Sequence, residues 1–279
     1  MSKQQIWFIT GAGRGLGKAI AHYVLAQGHI VFGTTRDGNA DLVSPDFHLL
    51  PMEMTNAHQI KAAVAAAHAR FGRLDVIVNN AGYGIFGALE EVTEQEVRQL
   101  FDVNVFGPLQ VMQAALPFLR GQRHGHLINI SSIASLAPIA GSAIYAASKC
   151  ALDGLSQSLA HEVAPLGIKV TVVNPGAFRT EFLAERSVRK SAIGIADYNA
   201  TAGAVLTALT HVAGKQVGDP ARAAKAIYSI VAAENPPLHL VLGKDALSRT
   251  RRTQEHLSTD LTTWEQVTTA TEFAEEAPS

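Results

Sequence analysis

A single cysteine, Cys150, stands in 279 residues, so no intramolecular disulfide can brace the fold. It reads as a small buried hydrophobe without a role of its own. Charge is scarce as well: 17% of residues are Asp, Glu, Lys or Arg, and the formal net charge is -1. Such a balance offers no electrostatic footprint for nucleic acid or an anionic membrane. No stretch approaches the about 18 consecutive apolar residues of a membrane span. The opening Met-Ser-Lys-Gln-Gln runs straight into a strand pattern, without the features of a signal peptide. The expectation is a cytoplasmic protein with neither a nucleic-acid nor a membrane partner. The eleven histidines form no zinc-type constellation, and His124-x-His126 reads as decoration of a turn, so no metal is expected.

What is abundant is apolar surface, at 47% of residues, which implies a large buried core. Seven short apolar runs read as strands: Ile6 to Thr10, Ile30 to Thr34, Phe47 to Met52, Val76 to Val78, His126 to Ile130, Val170 to Val173 and Leu238 to Leu242. Several lack polar alternation, as strands buried on both faces do. Between them lie helical patterns. One runs from about Ala57 to Phe71 and stops at Gly72; another opens on a Thr93-x-x-Glu96 capping box and is read through Asn104 to Leu119; a third opens on Asp219-Pro220. Strands and helices alternating in this way predict an α/β fold, a single doubly wound Rossmann-type domain over residues 1–279 with a seven-stranded parallel sheet and helices on both faces.

The first strand ends on Thr10-Gly11-Ala12-Gly13-Arg14-Gly15-Leu16-Gly17, and helical spacing follows. Strand, glycine turn and helix together suit a pyrophosphate, which can approach a bare backbone and rest at a helix N-terminus. A nucleotide-triphosphate P-loop is excluded, because Ala12 and Ala19 stand where that loop needs Gly and a magnesium-binding hydroxyl. The second strand leads into Thr35-Arg36-Asp37, where a dinucleotide fold meets the adenosine ribose. Arg14 and Arg36 favour a 2′-phosphate and Asp37 a free hydroxyl; the reading is NADP(H) before NAD(H).

Tyr145 and Lys149 lie four residues apart and so share a helix face. A phenol is a weak proton donor or acceptor at neutral pH unless its anion is stabilised. An ammonium about 4 Å away, at an effective dielectric of about 20, contributes roughly 4 kcal/mol, or about three pKa units before desolvation. The expectation is a tyrosine titrating near neutrality.

In order and spacing, Thr10-Gly11-x-x-x-Gly15-x-Gly17, Asn79-Asn80-Ala81-Gly82, Asn104, Ser132, Tyr145-x-x-x-Lys149 and Pro175-Gly176 with Thr180 resemble the classical short-chain dehydrogenases/reductases, over about residues 5 to 180. The chain looks most like their hydroxysteroid-dehydrogenase-like branch. The resemblance implies Tyr145 as general acid/base, Lys149 as the group that lowers its pKa and binds the nicotinamide ribose, Ser132 as oxyanion donor and Asn104 as the holder of a linking water. It also implies cofactor contacts from Gly11, Arg14, Gly15, Leu16, Gly17, Arg36, Glu53, Met54, Asn80, Ala81, Gly82, Pro175, Gly176 and Thr180, besides Tyr145 and Lys149. Glu53 departs from the Asp usual in the family. A homodimer or homotetramer is implied too.

Residues 177–218 fall where the family carries its substrate lid, and Phe178, Phe182, Leu183, Ile193, Ile195, Tyr198 and Val205 there suggest an apolar pocket, with Phe86, Ile133 and Ile139 as further walls. The stretch from Lys244 to Val267 reads as a polar helix and 268–279 as a disordered tail. The activity implied is hydride transfer between NAD(P)H and a carbonyl or alcohol of a moderately apolar small molecule. The alternative is a nucleotide-binding redox sensor, disfavoured by the intact Ser132, Tyr145 and Lys149.

Overall fold

The structure, a computed structural model, describes residues 4–183, 188–191 and 193–273. Residues 184–187 and 192, within the stretch expected to form a lid, and those from 274 on lie outside them. All seven apolar runs are strands of one parallel sheet. In chain order these are β1 (Ile6–Thr10), β2 (Ile30–Thr35), β3 (Phe47–Pro51), β4 (Val76–Asn79), β6 (Gly125–Ile130), β7 (Ile168–Pro175) and β9 (His239–Leu242), arranged β3-β2-β1-β4-β6-β7-β9. Two three-residue strands, β5 (Gly84–Phe86) and β8 (Val188–Lys190), form a separate parallel pair that ties the segment after β7 to the loop after β4. They are too short to show a period in sequence.

The helices are α1 (Gly15–Ala26), α2 (Ala57–Phe71), α3 (Glu94–Phe101), α4 (Gly107–Gln122), α5 (Ile133–Leu136), α6 (Ala143–Val163), α7 (Ala204–Val212), α8 (Pro220–Val231), α9 (Lys244–Thr263) and α10 (Glu265–Thr269). Alternation along β1 explains the two-sided burial. Ile6 and Phe8 join a core with α2, α4 and α6, while Trp7 and Ile9 join another with α1 and α8. The chain leaves β1 toward β2 and β3, then returns to place β4 on β1's other side. The C-terminal ends of β1 and β4 therefore flank a topological switch point, where such sheets bind ligands.

The helix expected to run unbroken through Asn104 is interrupted. Between α3 and α4 residues Asp102–Phe106 form a π turn, with Gly107 N–H donating to Asp102 O. Pro108 has no N–H to return to Asn104 O, so the backbone widens by one residue there. Asn104 is thereby turned inward and buried.

Three smaller expectations are corrected. Residues 268 and 269 are helical, with Thr268 N–H donating to Trp264 O at 2.9 Å, so disorder cannot begin at 268. Cys150 lies on the exposed side of α6 and donates to Ser135 O, because the helix turns its neighbour Lys149 inward instead. His126 is no turn decoration: it is buried in β6, 2.9 Å from Thr171 Oγ1. Burial, helped by Lys169 and His124, pushes its pKa down to about 4. The unfolded chain then binds a proton below about pH 6.5 that the folded chain refuses until about pH 4. About 3 kcal/mol of stability present at neutral pH should be lost across that window. Urea melts of the native chain and of His126→Gln at pH 7 and pH 4.5 check it; identical pH dependence in the two would take His126 out of the account.

Candidate active site

The glycine turn is held in shape by the loop after β4. Thr10 Oγ1 accepts from Asn80 N at 2.9 Å and Ala81 N at 3.0 Å, and Asn80 Nδ2 donates to Thr10 O at 2.9 Å and Gly11 O at 3.1 Å. A Cβ on Gly17 would stand 2.4 Å from both Gly11 O and Asn80 Nδ2, so only glycine lets α1 start this close. Asn80 thus shapes the turn with an amide already committed to backbone carbonyls. Ala81 packs against the core beneath, and Leu16, in the first turn of α1, packs against the other core.

An anionic oxygen already rests at this helix start: Glu181 Oε2 accepts from Gly15 N at 3.1 Å. The amide therefore suits a pyrophosphate oxygen, as the sequence spacing requires. Arg14 and Arg36 are exposed and form no ion pair among the described residues. Asp37 is engaged locally, its Oδ1 accepting from Asn39 N at 3.2 Å, which lowers its pKa. Of the adenine-edge pair, Glu53 accepts nothing through its side chain among the described residues; its backbone N–H donates to Gln59 Oε1 at 2.8 Å. Met54 is buried against Gly107.

Tyr145, Lys149 and Asp153 follow one another at four-residue steps along α6, all buried. Burial pushes the Tyr145 phenol up to about 12, and the Ser132 hydroxyl draws it partly back. Burial thus works against the near-neutral titration expected of this tyrosine. Lys149 Nζ donates to Ile130 O at 2.9 Å and stands 5.9 Å from the centre of the Tyr145 ring. Desolvation prevails over a more distant ammonium. The same burial brings Lys149 down to about 8, and Asp153 opposes this. Asp153 Oδ2 accepts from Asn174 Nδ2 at 3.1 Å. Sequence reading missed Asp153, although its spacing from Lys149 was the available signal.

Asn104 holds its orientation through Tyr83, accepting from Tyr83 N at 3.1 Å and donating to Tyr83 O at 2.8 Å, with a further donation to Ser148 Oγ at 3.2 Å. A Cβ on Gly82 would meet Asn104 Oδ1 at 3.1 Å and Lys149 Nζ at 3.6 Å, so the three converge on one spot. Ser132 caps α5, its hydroxyl accepting from Ala134 N at 3.1 Å.

Apolar side chains enclose the phenol. The Phe86 and Phe182 rings lie 5.7 and 5.9 Å from that of Tyr145, and Ile85, Leu100, Leu206 and Leu209 complete the cluster. Phe86 and Phe182 were anticipated as walls; α7's leucines were not. Ile133 packs away, with Ala137 and Ala246, and Ile139 is exposed. Tyr198 turns outward to donate to Glu90 Oε2 at 2.8 Å. Thr180 stands over the glycine turn, its Cβ 3.5 Å from where a Gly15 Cβ would be. Pro175 ends β7, and Gly176 N–H donates to Leu242 O at 2.8 Å. No cluster of metal-ligating side chains occurs among the described residues.

The sequence model of the family described as short chain dehydrogenase matches residues 5–191. A curated 3-ketodihydrosphingosine reductase from Bacteroides thetaiotaomicron is 39% identical over 241 residues, covering 86% of this chain and 88% of that one. Among solved structures, a short-chain dehydrogenase from Streptomyces avermitilis superposes with a TM-score of 0.90 at 39% identity, over 97% of this chain and 100% of that one. ElxO, solved with NADP bound, gives a TM-score of 0.72 at 27% identity, over 88% of this chain and 99% of that one.

Proposed function

This chain belongs to the short-chain dehydrogenase family and is an NAD(P)-dependent oxidoreductase, and we propose that within it the enzyme prefers NADP(H) and interconverts a ketone and an alcohol on a moderately apolar small molecule. One observation carries the reading: a protonated phenol, within the influence of the Ser132 hydroxyl, lies buried among apolar side chains, with Lys149 one turn further along α6. A neutral phenol is a proton donor, which suits the carbonyl-reducing direction.

The nicotinamide supplies the hydride when it is bound. The chain's residues do the remainder. Tyr145 Oη gives its proton to the carbonyl oxygen, and Ser132 Oγ donates a hydrogen bond to the same oxygen as charge gathers there. Lys149, held by Ile130 O, offers its remaining N–H donors to the nicotinamide ribose, and Asn104 shares that side of the cleft. Gly11, Gly15, Leu16 and Gly17 present backbone to the pyrophosphate, which would replace the Glu181 carboxylate at Gly15 N. Arg14 and Arg36 meet the 2′-phosphate; Asn80, Ala81 and Gly82 border the adenosine side, and Pro175, Gly176 and Thr180 the carboxamide. Glu53 and Met54 contribute through their backbone, since Met54's side chain belongs to the core. Residues 1–279 act as one domain, with 177–218 as lid, and assemble as a homodimer or homotetramer.

Support for the substrate class comes from the apolar cluster and from the Bacteroides relative, whose name describes reduction of a ketone. Support for NADP comes from the unpaired Arg14 and Arg36 and from the NADP-bound neighbour. The test is NADPH consumption against a panel of long-chain 3-ketones, steroid ketones, aldehydes and quinones. Turnover rising with the apolar surface of the ketone is the expected result. Tight NADPH binding without reduction of any member would remove the proposal in favour of a nucleotide sensor.

A further inference from the structure

The first two turns of α9 reach both rims of the cleft. Asp245 Oδ2 accepts from Ala177 N at 3.0 Å. Its carboxylate lies so close to the turn after β7 that a Cβ on Gly176 would stand 2.4 Å from Oδ2 and 2.5 Å from Oδ1. A Cβ on Gly243 would stand 2.6 Å from Oδ1, at a φ of +106. Two glycines thus leave room for one carboxylate. Arg249, four residues on, donates to Ala137 O in the segment joining α5 to α6. Between them Ala246 is fully buried against Ile133 and Ala137. The far half of the helix is different, with Leu257 and Leu261 exposed.

An acidic side chain in a helix's first turn is favoured by the helix dipole, and its bond to a backbone N–H is charge-assisted. Folding of the helix alone would need neither the contact with Ala177 nor the one with Ala137. Both contacts lead to segments that bear on the chemistry. Ala177 follows the Pro175-Gly176 turn assigned to the carboxamide, and Ala137 follows the helix that Ser132 caps and precedes the one that carries Tyr145.

Resting on the proposed function, we infer that Asp245 and Arg249 are positioning residues, and that the start of the C-terminal helix is a strut setting the nicotinamide-side turn against the segment bearing Ser132. Neither touches substrate. They act by holding the ring's carboxamide edge and the proton-donating pair at a fixed separation, and a misplacement of about 1 Å in such a pair costs on the order of a hundredfold in rate.

The experiment compares Asp245→Ala, Asp245→Asn and Arg249→Met in the full-length protein. Steady-state kinetics with NADPH and the best ketone are read beside binding of NADPH and of adenosine 2′,5′-bisphosphate, which lacks the nicotinamide half. Asp245→Ala should lower kcat ten- to a hundredfold and weaken NADPH several-fold. Binding of the bisphosphate should be unchanged, because the adenosine site lies across the sheet. Asp245→Asn, which keeps an acceptor oxygen, should recover most of kcat. Should Asp245→Ala fail to fold, Arg249→Met carries the same expectation for kcat and bisphosphate binding. Unchanged kinetics in the Ala and Met variants would overturn the strut, and so would equal losses in Asn and Ala, or weakening of both ligands alike. If instead the native chain binds neither NADPH nor the bisphosphate, the cofactor reading itself has failed.

Discussion

Replacing Tyr145 by phenylalanine should reduce ketone turnover by about a thousandfold while NADPH still binds within a few-fold of the native affinity, because the loss is of a positioned proton donor and not of a binding contact. The phenyl ring keeps its packing with Phe86 and Phe182, so folding should be unaffected. The pH dependence adds a second arm. With its pKa at about 12 the phenol stays protonated throughout the neutral range, whereas Lys149, at about 8, loses its charge within it. Reduction should therefore be level from about pH 5 to 7, fall to about half near pH 8 and decline further as Lys149 becomes neutral. Alcohol oxidation needs the phenolate and should rise with pH. A reduction rate that falls between pH 5 and 7 would mean that the phenol loses its proton there, and the burial argument would be wrong.

The second large effect concerns the cofactor. Arg14→Ala combined with Arg36→Ala should weaken NADPH by about a hundredfold, and NADH by less than threefold, since two charge-assisted contacts to a phosphate disappear and NADH has no 2′-phosphate to lose. Exposure of both side chains lets solvent screen each contact, which keeps the expected loss below that of a buried pair. Asp37 is turned in part to its own loop, its Oδ1 accepting from Asn39 N at 3.2 Å. Fluorescence titration of both reduced nucleotides decides it. Equal weakening of the two would assign the arginines to the pyrophosphate and leave the ribose preference with Asp37.

Period and punctuation in the chain were enough to place every strand of the main sheet. β1 and β4 are buried at each position, and apolar up to their last residues Thr10 and Asn79, because both faces are covered; Gly72 closes α2 in the left-handed conformation that a side chain resists. The spacing of Gly11, Gly15 and Gly17, and of Tyr145 and Lys149, is local: it depends on rise and turn per residue within one segment. That is why the residues of the site could be named before their surroundings were known.

Their states could not be so named. The Tyr145 phenol is raised above its ordinary range because distant side chains from β5, α3, α7 and the segment after β7 exclude water from it, and the sequence by itself records none of those approaches. The same holds for Asn80, whose amide meets carbonyls some 70 positions upstream. It holds for Ala177, whose partner Asp245 lies 68 residues on. Residue identity and short-range periodicity determined which groups this protein brings to its cleft. Only the packing of elements remote in the chain decided their charge, their hydrogen bonds and their separation, because desolvation and Coulomb forces act through space.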